Sequence, residues 1–182
     1  MVRRSENEQH NVDPSMADDF LKDGWSRTVA DMRAMAEDRE GKGFETFTLA
    51  SDDTTPIAPG MGDDDRMGFS HLVPGDVADE IAPVFEAFSL DETGVYQSSD
   101  SGHVFMVTEL VDYRDETVIY VAGSYRMAEA APLVRAATDR GHLHTYVRKL
   151  DKTIVGSVEH DEVAAFFPNP DVYYSYEPDS PV

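Results

Sequence analysis

The residues best suited to chemistry lie near the end of the chain, in two segments whose composition predicts a β-hairpin. His142 and His144 are two apart on the first segment, so both side chains point to one face of a strand. Tyr146 and Arg148 continue that face, and His160 lies at the end of the second segment. Imidazoles bind metals and guanidinium groups bind anions, so the hairpin offers both kinds of site.

The turn around residues 151–153 decides whether His160 joins the other two histidines. A three-residue loop would place His144 opposite His160. A two-residue or four-residue loop would place His144 opposite Glu159 and turn His160 to the other face. The register of this hairpin stays open from the sequence alone.

In the first register, three imidazoles and a carboxylate from Asp161 or Glu162 could bind zinc or another divalent metal. No dedicated ligand spacing, such as His-Glu-x-x-His, supports that site. Polar residues on the solvent face of a half-buried hairpin are far commoner. We therefore expect no metal and no cofactor, and His142, His144 and His160 are the candidate ligands if a metal does bind.

Arg148 is the candidate for an anion site or an ion pair. Its guanidinium could pair with a buried carboxylate such as Glu109, or it could receive an anion in a cleft. A structural ion pair is the commoner use of such an arginine, and both alternatives stay open.

Other common forms of catalytic chemistry lack their residues here. The chain has no cysteine, which excludes a thiol nucleophile and cysteine-ligated metals. It also has no Gly-x-Ser-x-Gly elbow and no glycine-rich phosphate loop. These observations favour a protein that is not an enzyme, and they identify no specific small molecule.

The charge balance is extreme, because 36 acidic residues face 15 basic ones for a formal net charge of −21. Such a chain repels itself in dilute buffer, whereas molar salt shortens the Debye length to about 3 Å and screens the repulsion. The acids are spread along the whole chain, which predicts an acidic, halophilic surface. No basic footprint is visible, so we expect no nucleic-acid partner.

No segment approaches the roughly 20 apolar residues that a membrane helix needs. The first 14 residues lack the apolar centre of a signal peptide. We therefore expect a cytoplasmic protein with no membrane partner.

The pattern of apolar residues predicts three helices, over about 13–41, 76–88 and 127–140. The first helix has an apolar stripe that includes Trp25, Val29 and Met32. Strands are predicted over 44–50, 68–73, 94–97, 103–111, 117–125, 142–150 and 154–160. The runs in 103–111 and 117–125 are almost continuously apolar, which is typical of central strands, and residues 51–66 are predicted to form a long loop.

This order of elements predicts an α+β fold with a mainly antiparallel sheet of about six or seven strands and two or three helices on one face. We expect a disordered tail over residues 1–14, a single domain over 15–168, and a flexible acidic, tyrosine-rich tail over 169–182.

Several short motifs carry a resemblance to a known family. They are Trp25 with Asp31-Met32-x-Ala34, Gly43-Phe44-Glu45-Thr46, His71-Leu-Val-Pro74, Gly141 with Thr145-x-Val147-Arg148-x-Leu150, and Glu159-His160-Asp161 with Phe166-Phe167. Over roughly residues 20–168 the chain resembles an uncharacterised haloarchaeal protein family, a domain of unknown function. The resemblance agrees with the acidic composition and implies no activity.

Two functional hypotheses follow. The leading one is a non-catalytic protein-interaction or regulatory domain, whose partner is another protein or a second copy of the chain. The alternative is a small metal-binding protein or metal-dependent enzyme that uses the histidines of the hairpin.

Overall fold

The computed structural model describes residues 14–61 and 64–177, which form five helices and eight strands. The helices are α1 (Pro14–Gly41), α2 (Gly75–Ala87), α3 (Met127–Arg140), α4 (Val163–Phe166) and α5 (Pro170–Tyr174). The strands are β1 (Glu45–Ala50), β2 (Asp53–Ile57), β3 (Gly68–Leu72), β4 (Glu92–Asp100), β5 (His103–Asp112), β6 (Thr117–Arg126), β7 (Leu143–Arg148) and β8 (Ile154–His160). The disordered tail expected over 1–14 lies outside the described residues except for Pro14, which begins α1.

The α+β class is confirmed, but the strands form two mixed sheets of four, not one antiparallel sheet of six or seven. The first sheet has the order β1-β6-β5-β4 and the second the order β2-β3-β7-β8. One parallel pair occurs in each sheet, β1 with β6 and β3 with β7. The partners in each pair are far apart in sequence, so hairpin patterns could not predict them.

The apolar runs of β5 and β6 make them the central strands of the first sheet, as predicted. Their side chains alternate between the two faces of the sheet, which pack against three apolar clusters. Met106 and Leu110 face the second sheet with α2 and α3, while Val107 and Val111 face α1. Both faces of these strands are therefore buried, which explains why the sequence shows no alternation there.

Strand β2 lies inside the segment predicted to be a long loop. It pairs antiparallel with β3 at the edge of the second sheet. Pro56 lies within this strand. Proline has no N–H to donate, and an edge strand tolerates it because one side of the strand has no neighbour that would need that hydrogen bond. That proline, together with the neighbouring acids and glycines, made the segment resemble a loop.

Helix α1 packs its predicted stripe on the first sheet, with Met32 and Ala36 fully buried and Trp25 and Val29 partly buried. Helices α2 and α3 pack on the opposite face of that sheet, beside the second sheet. The helices therefore lie on both faces of the first sheet, contrary to the expectation of one face.

The chain beyond residue 168 was expected to be flexible, but residues 170–177 are packed against the domain. Tyr173 is 4% exposed, and its hydroxyl lies 2.9 Å from that of Tyr125. Arg135 on α3 pairs with Glu177 and lies over the ring of Tyr174. Residues 178–182 lie outside the described part of the chain.

Candidate anion-binding cleft

The structure separates His160 from the other two histidines of the hairpin, His142 and His144, whose rings lie 6.0 Å apart. His144 opposes Glu159 and Leu143 opposes His160, because the pairing shifts by one residue between Val147 and Arg148. His144 therefore lies on the outer face of the second sheet, where its ring stacks on that of Tyr146 at 5.3 Å. His160 points to the inner face, so the two histidines cannot share a metal.

His142 precedes β7 and is half-buried. Its Nδ1 lies 3.3 Å from the carbonyl oxygen of Arg140. Within residues 14–61 and 64–177, no group of three or more histidine and acidic side chains has an arrangement that could hold a metal ion. The geometry of the hairpin thus gives no support to the metal hypothesis.

His160 instead joins the two sheets. It is 2% exposed, and its Nδ1 lies 2.8 Å from the hydroxyl of Thr93 on β4. Its Nε2 lies 2.8 Å from the hydroxyl of Thr145 on β7. Burial, with a smaller effect from His144, lowers the pKa of His160 to about 4, so the ring is neutral at pH 7.

His71, on β3, is fully buried between the sheets. The Ser51 hydroxyl donates to the carbonyl oxygen of Ala122, so the hydroxyl of Thr54 must donate to Ser51. His71 Nδ1, 3.0 Å from Thr54 Oγ1, must then carry the proton, which leaves Nε2 as an unprotonated lone pair. That Nε2 has no hydrogen-bond partner among the described residues.

The neighbourhood of His71 also fixes its charge. Burial, and then the positive charge of Arg148, lower the pKa of His71 to about 3. Its ring lies against Gly123 of β6, where an added Cβ would come within 2.9 Å of the imidazole. His71 is therefore a neutral part of the interior, and Arg148 lies beyond it on the outer face of the same sheet.

Arg148 does not pair with Glu109, whose partner is Arg39 at 3.2 Å. The Nε of Arg148 donates to Ser70 Oγ at 2.9 Å, and Nη2 lies 3.4 Å from Asp53 Oδ2. The Arg148 side chain is 18% exposed. Its guanidinium is thus held in place by a neutral hydroxyl and a long contact to an exposed carboxylate, which leaves donor capacity toward solvent.

Arg148 lines a cleft of about 400 Å³ on the outer face of the second sheet. Arg66 and Lys152 contribute two further positive charges to the lining, and Asp64, held by Arg66 at 2.5 Å, is the carboxylate among the described lining residues. With Asp53, which contacts Arg148, three basic residues therefore meet two acids at this cleft. Such a local excess of positive charge in an acidic protein attracts anions.

The rest of the lining is partly apolar and partly hydroxyl-bearing. Pro56, Ile57 and Met61 supply the apolar surface, and Thr55 and Ser70 supply hydroxyl groups. A few polar groups beside an apolar wall are typical of small-molecule sites of this volume. The arrangement suits an organic anion with a small hydrocarbon part.

The hairpin pattern pointed to Arg148, whereas no pattern in the sequence pointed to Arg66 or Lys152. Arg66 follows a run of aspartates, and Lys152 lies in the hairpin turn with a positive φ of 72°. Their convergence depends on the pairing of β3 with β2 and β7, for which the sequence carries no local signal.

No helix in the described ranges combines the length and the apolar character needed to cross a membrane. No curated protein and no solved structure matches the chain. A model of the family described as a family of unknown function, DUF7529, matches residues 13–168. The chain therefore belongs to DUF7529.

Proposed function

We propose that the protein is a non-catalytic regulatory domain of the cytoplasm that binds a small organic anion in the cleft around Arg148. The observation that carries the proposal is the meeting of Arg66, Arg148 and Lys152 on one surface of a chain with a net charge of −21. In such a domain, binding of the ligand changes the interaction with a protein partner or with a second copy of the chain.

The lining favours binding over catalysis. Arg148 and Lys152 can hold an anion by charge and by hydrogen bonds. Asp64 is held by Arg66, and Ser70 already accepts a hydrogen bond from Arg148. The groups present orient and neutralise an anion, and none is placed to transfer a proton to or from it.

Benzoate and benzylamine provide a direct test, because they share a shape and differ in the sign of their charge. We expect benzoate to raise the melting temperature of the protein in a saturable way, since a ligand stabilises the state that binds it. Benzylamine should give no comparable rise through this cleft. No rise from benzoate, or a rise from benzylamine that Arg148→Gln abolishes, would contradict the proposal.

The matching variant is Arg148→Gln. Removing a charge-assisted hydrogen bond costs about 1.5–3 kcal/mol, so the Kd for benzoate should rise about tenfold or more in calorimetric titration. Arg140→Gln makes the same change on the exposed end of α3 and should leave the Kd unaltered. A Kd that rises equally in both variants would point to general electrostatics, with no specific site.

We also propose that the acidic surface adapts the protein to high salt. Among the described acids only Glu109 and Asp112 are buried, so the remainder lie on the surface, as a solvated coat requires. Stability should therefore fall when salt is reduced from about 2 M to about 0.1 M, as repulsion is no longer screened. Circular dichroism melts in potassium chloride test this, and an unchanged melting temperature would refute it.

A further inference from the structure

A short packed segment follows residue 168, where the match to DUF7529 ends. Residues 170–177, called the strap below, include α5 and pack on α3 and on Tyr125 at the end of β6. Among the described residues, every backbone hydrogen bond of the strap is made to residues 169–177. The strap is therefore attached to the domain by its side chains, and its release breaks no strand pair.

Two side chains anchor the strap, and they are four residues apart. Tyr173 is the one buried residue of the strap, and its ring meets that of Phe167 edge-on, with centroids 5.3 Å apart. Its hydroxyl lies 2.9 Å from that of Tyr125. Glu177 accepts two hydrogen bonds from Arg135, of which Nη2 to Oε2 measures 2.6 Å. Anchors at positions i and i+4 are typical of short helical segments that dock on another protein.

The residues that receive the anchors, Tyr125, Arg135 and Phe167, are called the strap site. Within the described part of the chain, the hydroxyl of Tyr125 has that of Tyr173 as its hydrogen-bond partner. A phenylalanine in place of Tyr173 would leave a buried hydroxyl unpaired, which costs more than the hydrogen bond contributes. Arg135 lies 4.5 Å from the ring centroid of Tyr174, and this stacking orients its planar guanidinium toward a carboxylate. The strap site therefore selects a tyrosine and an acid.

The strap is held weakly for a segment of its length. Asp171, Val172, Ser175 and Tyr176 are exposed. The entropy cost of ordering the backbone largely cancels the gain from one buried ring and one ion pair at the surface. Segments with so few buried contacts open locally without unfolding the rest of the protein.

We propose that the strap is an autoinhibitory ligand of the strap site, and that it is displaced by a partner-protein segment carrying a tyrosine and a carboxylate four residues later. The inference rests on the regulatory role proposed above, because it describes the chemistry of the partner. It does not depend on anion binding, since the described lining of the Arg148 cleft contains no residue of the strap site.

A fluorescein-labelled, amidated peptide with the sequence of residues 168–177 tests the site in solution. In the full-length Tyr173→Ala protein the strap lacks its main anchor, so we expect saturable binding of the peptide by fluorescence anisotropy. In the unaltered protein the tethered strap competes at a high effective concentration, so the apparent Kd should be at least tenfold higher. No saturable binding to folded Tyr173→Ala protein, or equal binding to both proteins, would overturn the proposal.

Matched variants test the two anchors. A peptide with Tyr173→Phe should bind the Tyr173→Ala protein about tenfold more weakly. Adding Arg135→Gln to that protein should weaken binding of the original peptide about threefold, whereas Arg140→Gln, at the exposed end of the same helix, should leave it unchanged. Equal affinity for the two peptides, or equal losses from the two arginine changes, would refute a specific site.

Glu177→Lys is a second way to loosen the strap, because it places a cation beside Arg135 and leaves Tyr173 in place. This variant should bind the peptide about threefold more tightly than the unaltered protein, and an unchanged affinity would contradict the proposal. A failure of benzoate to bind the Arg148 cleft would count against the anion site alone, so the two proposals can fail separately.

Discussion

Replacing Gly68 by alanine is expected to break the pairing of β3 with β7 and to lower the free energy of unfolding by at least about 3 kcal/mol. Gly68 has a φ of 154°, and an added Cβ would lie 1.9 Å from the carbonyl oxygen of His144. That oxygen belongs to the backbone of the partner strand, so the clash cannot be relieved by turning a side chain. Urea denaturation, or the loss of cooperative unfolding, measures the effect.

Gly141→Ala is the matched control for this variant. Gly141 also has a positive φ, 76°, but no atom lies within 4 Å of its added Cβ. It should therefore cost only the backbone penalty of a left-handed alanine, about 1–2 kcal/mol. Equal losses in the two variants would show that the approach of β7 to Gly68 is not the cause.

The second large effect is expected from acid. In the unfolded chain a histidine takes up a proton below about pH 6.5. In the folded protein the pKa of His71 is lowered to about 3 and that of His160 to about 4. The unfolded state therefore binds more protons between these values, and the stability present above pH 6.5 is lost as the pH falls through this window.

At pH 5 each histidine should have removed about 2 kcal/mol of stability, or about 4 kcal/mol for the pair. Asp112, whose pKa is lowered chiefly by a hydrogen bond from the Ser89 backbone amide, adds a loss of the same sign at lower pH. The contributions of the two histidines and of Asp112 are separated by comparing histidine variants. Each variant is judged by how its free energy of unfolding changes with pH, and its stability at a single pH is not used.

The measurement is the free energy of unfolding at pH 7 and pH 5 in constant salt. His71→Asn and His160→Gln should each flatten the difference by about 2 kcal/mol, whatever they cost at pH 7. His142→Asn removes a half-buried histidine that lies outside the interior, just before β7, and controls for the loss of an imidazole as such. If the His71 and His160 variants have the same slope as the His142 variant, the two interior histidines are not held neutral by the fold.

Most helices and strands could be predicted because the spacing of apolar residues within each segment indicates its type. The stripe on α1 and the continuous apolar runs of β5 and β6 reflect which faces are buried, and the structure buries those faces. Pairing is different, because β1 and β6 lie about 70 residues apart and meet only when the whole domain has folded. The division into two sheets follows from such pairs and has no local trace.

The candidate sites show the same limit. Arg148 was identified from its type and its place on a hairpin. The register shift beside it, which turns His160 to the inner face, could not be predicted from the sequence. Arg66 and Lys152 are ordinary surface charges until strand pairing brings them to one cleft. Trp25 was assigned to the apolar stripe of α1, and it packs there partly buried.

The distribution of strands between the two sheets has a mechanical consequence. The chain leaves the first sheet after β1, returns to it at β4, and leaves it again after β6. Neither sheet is therefore a continuous piece of polypeptide that could be excised and refolded by itself. Detaching β7 and β8 by force or by proteolysis also leaves β3 without its parallel neighbour. Loss of these two strands should therefore unfold the whole domain in a single cooperative step.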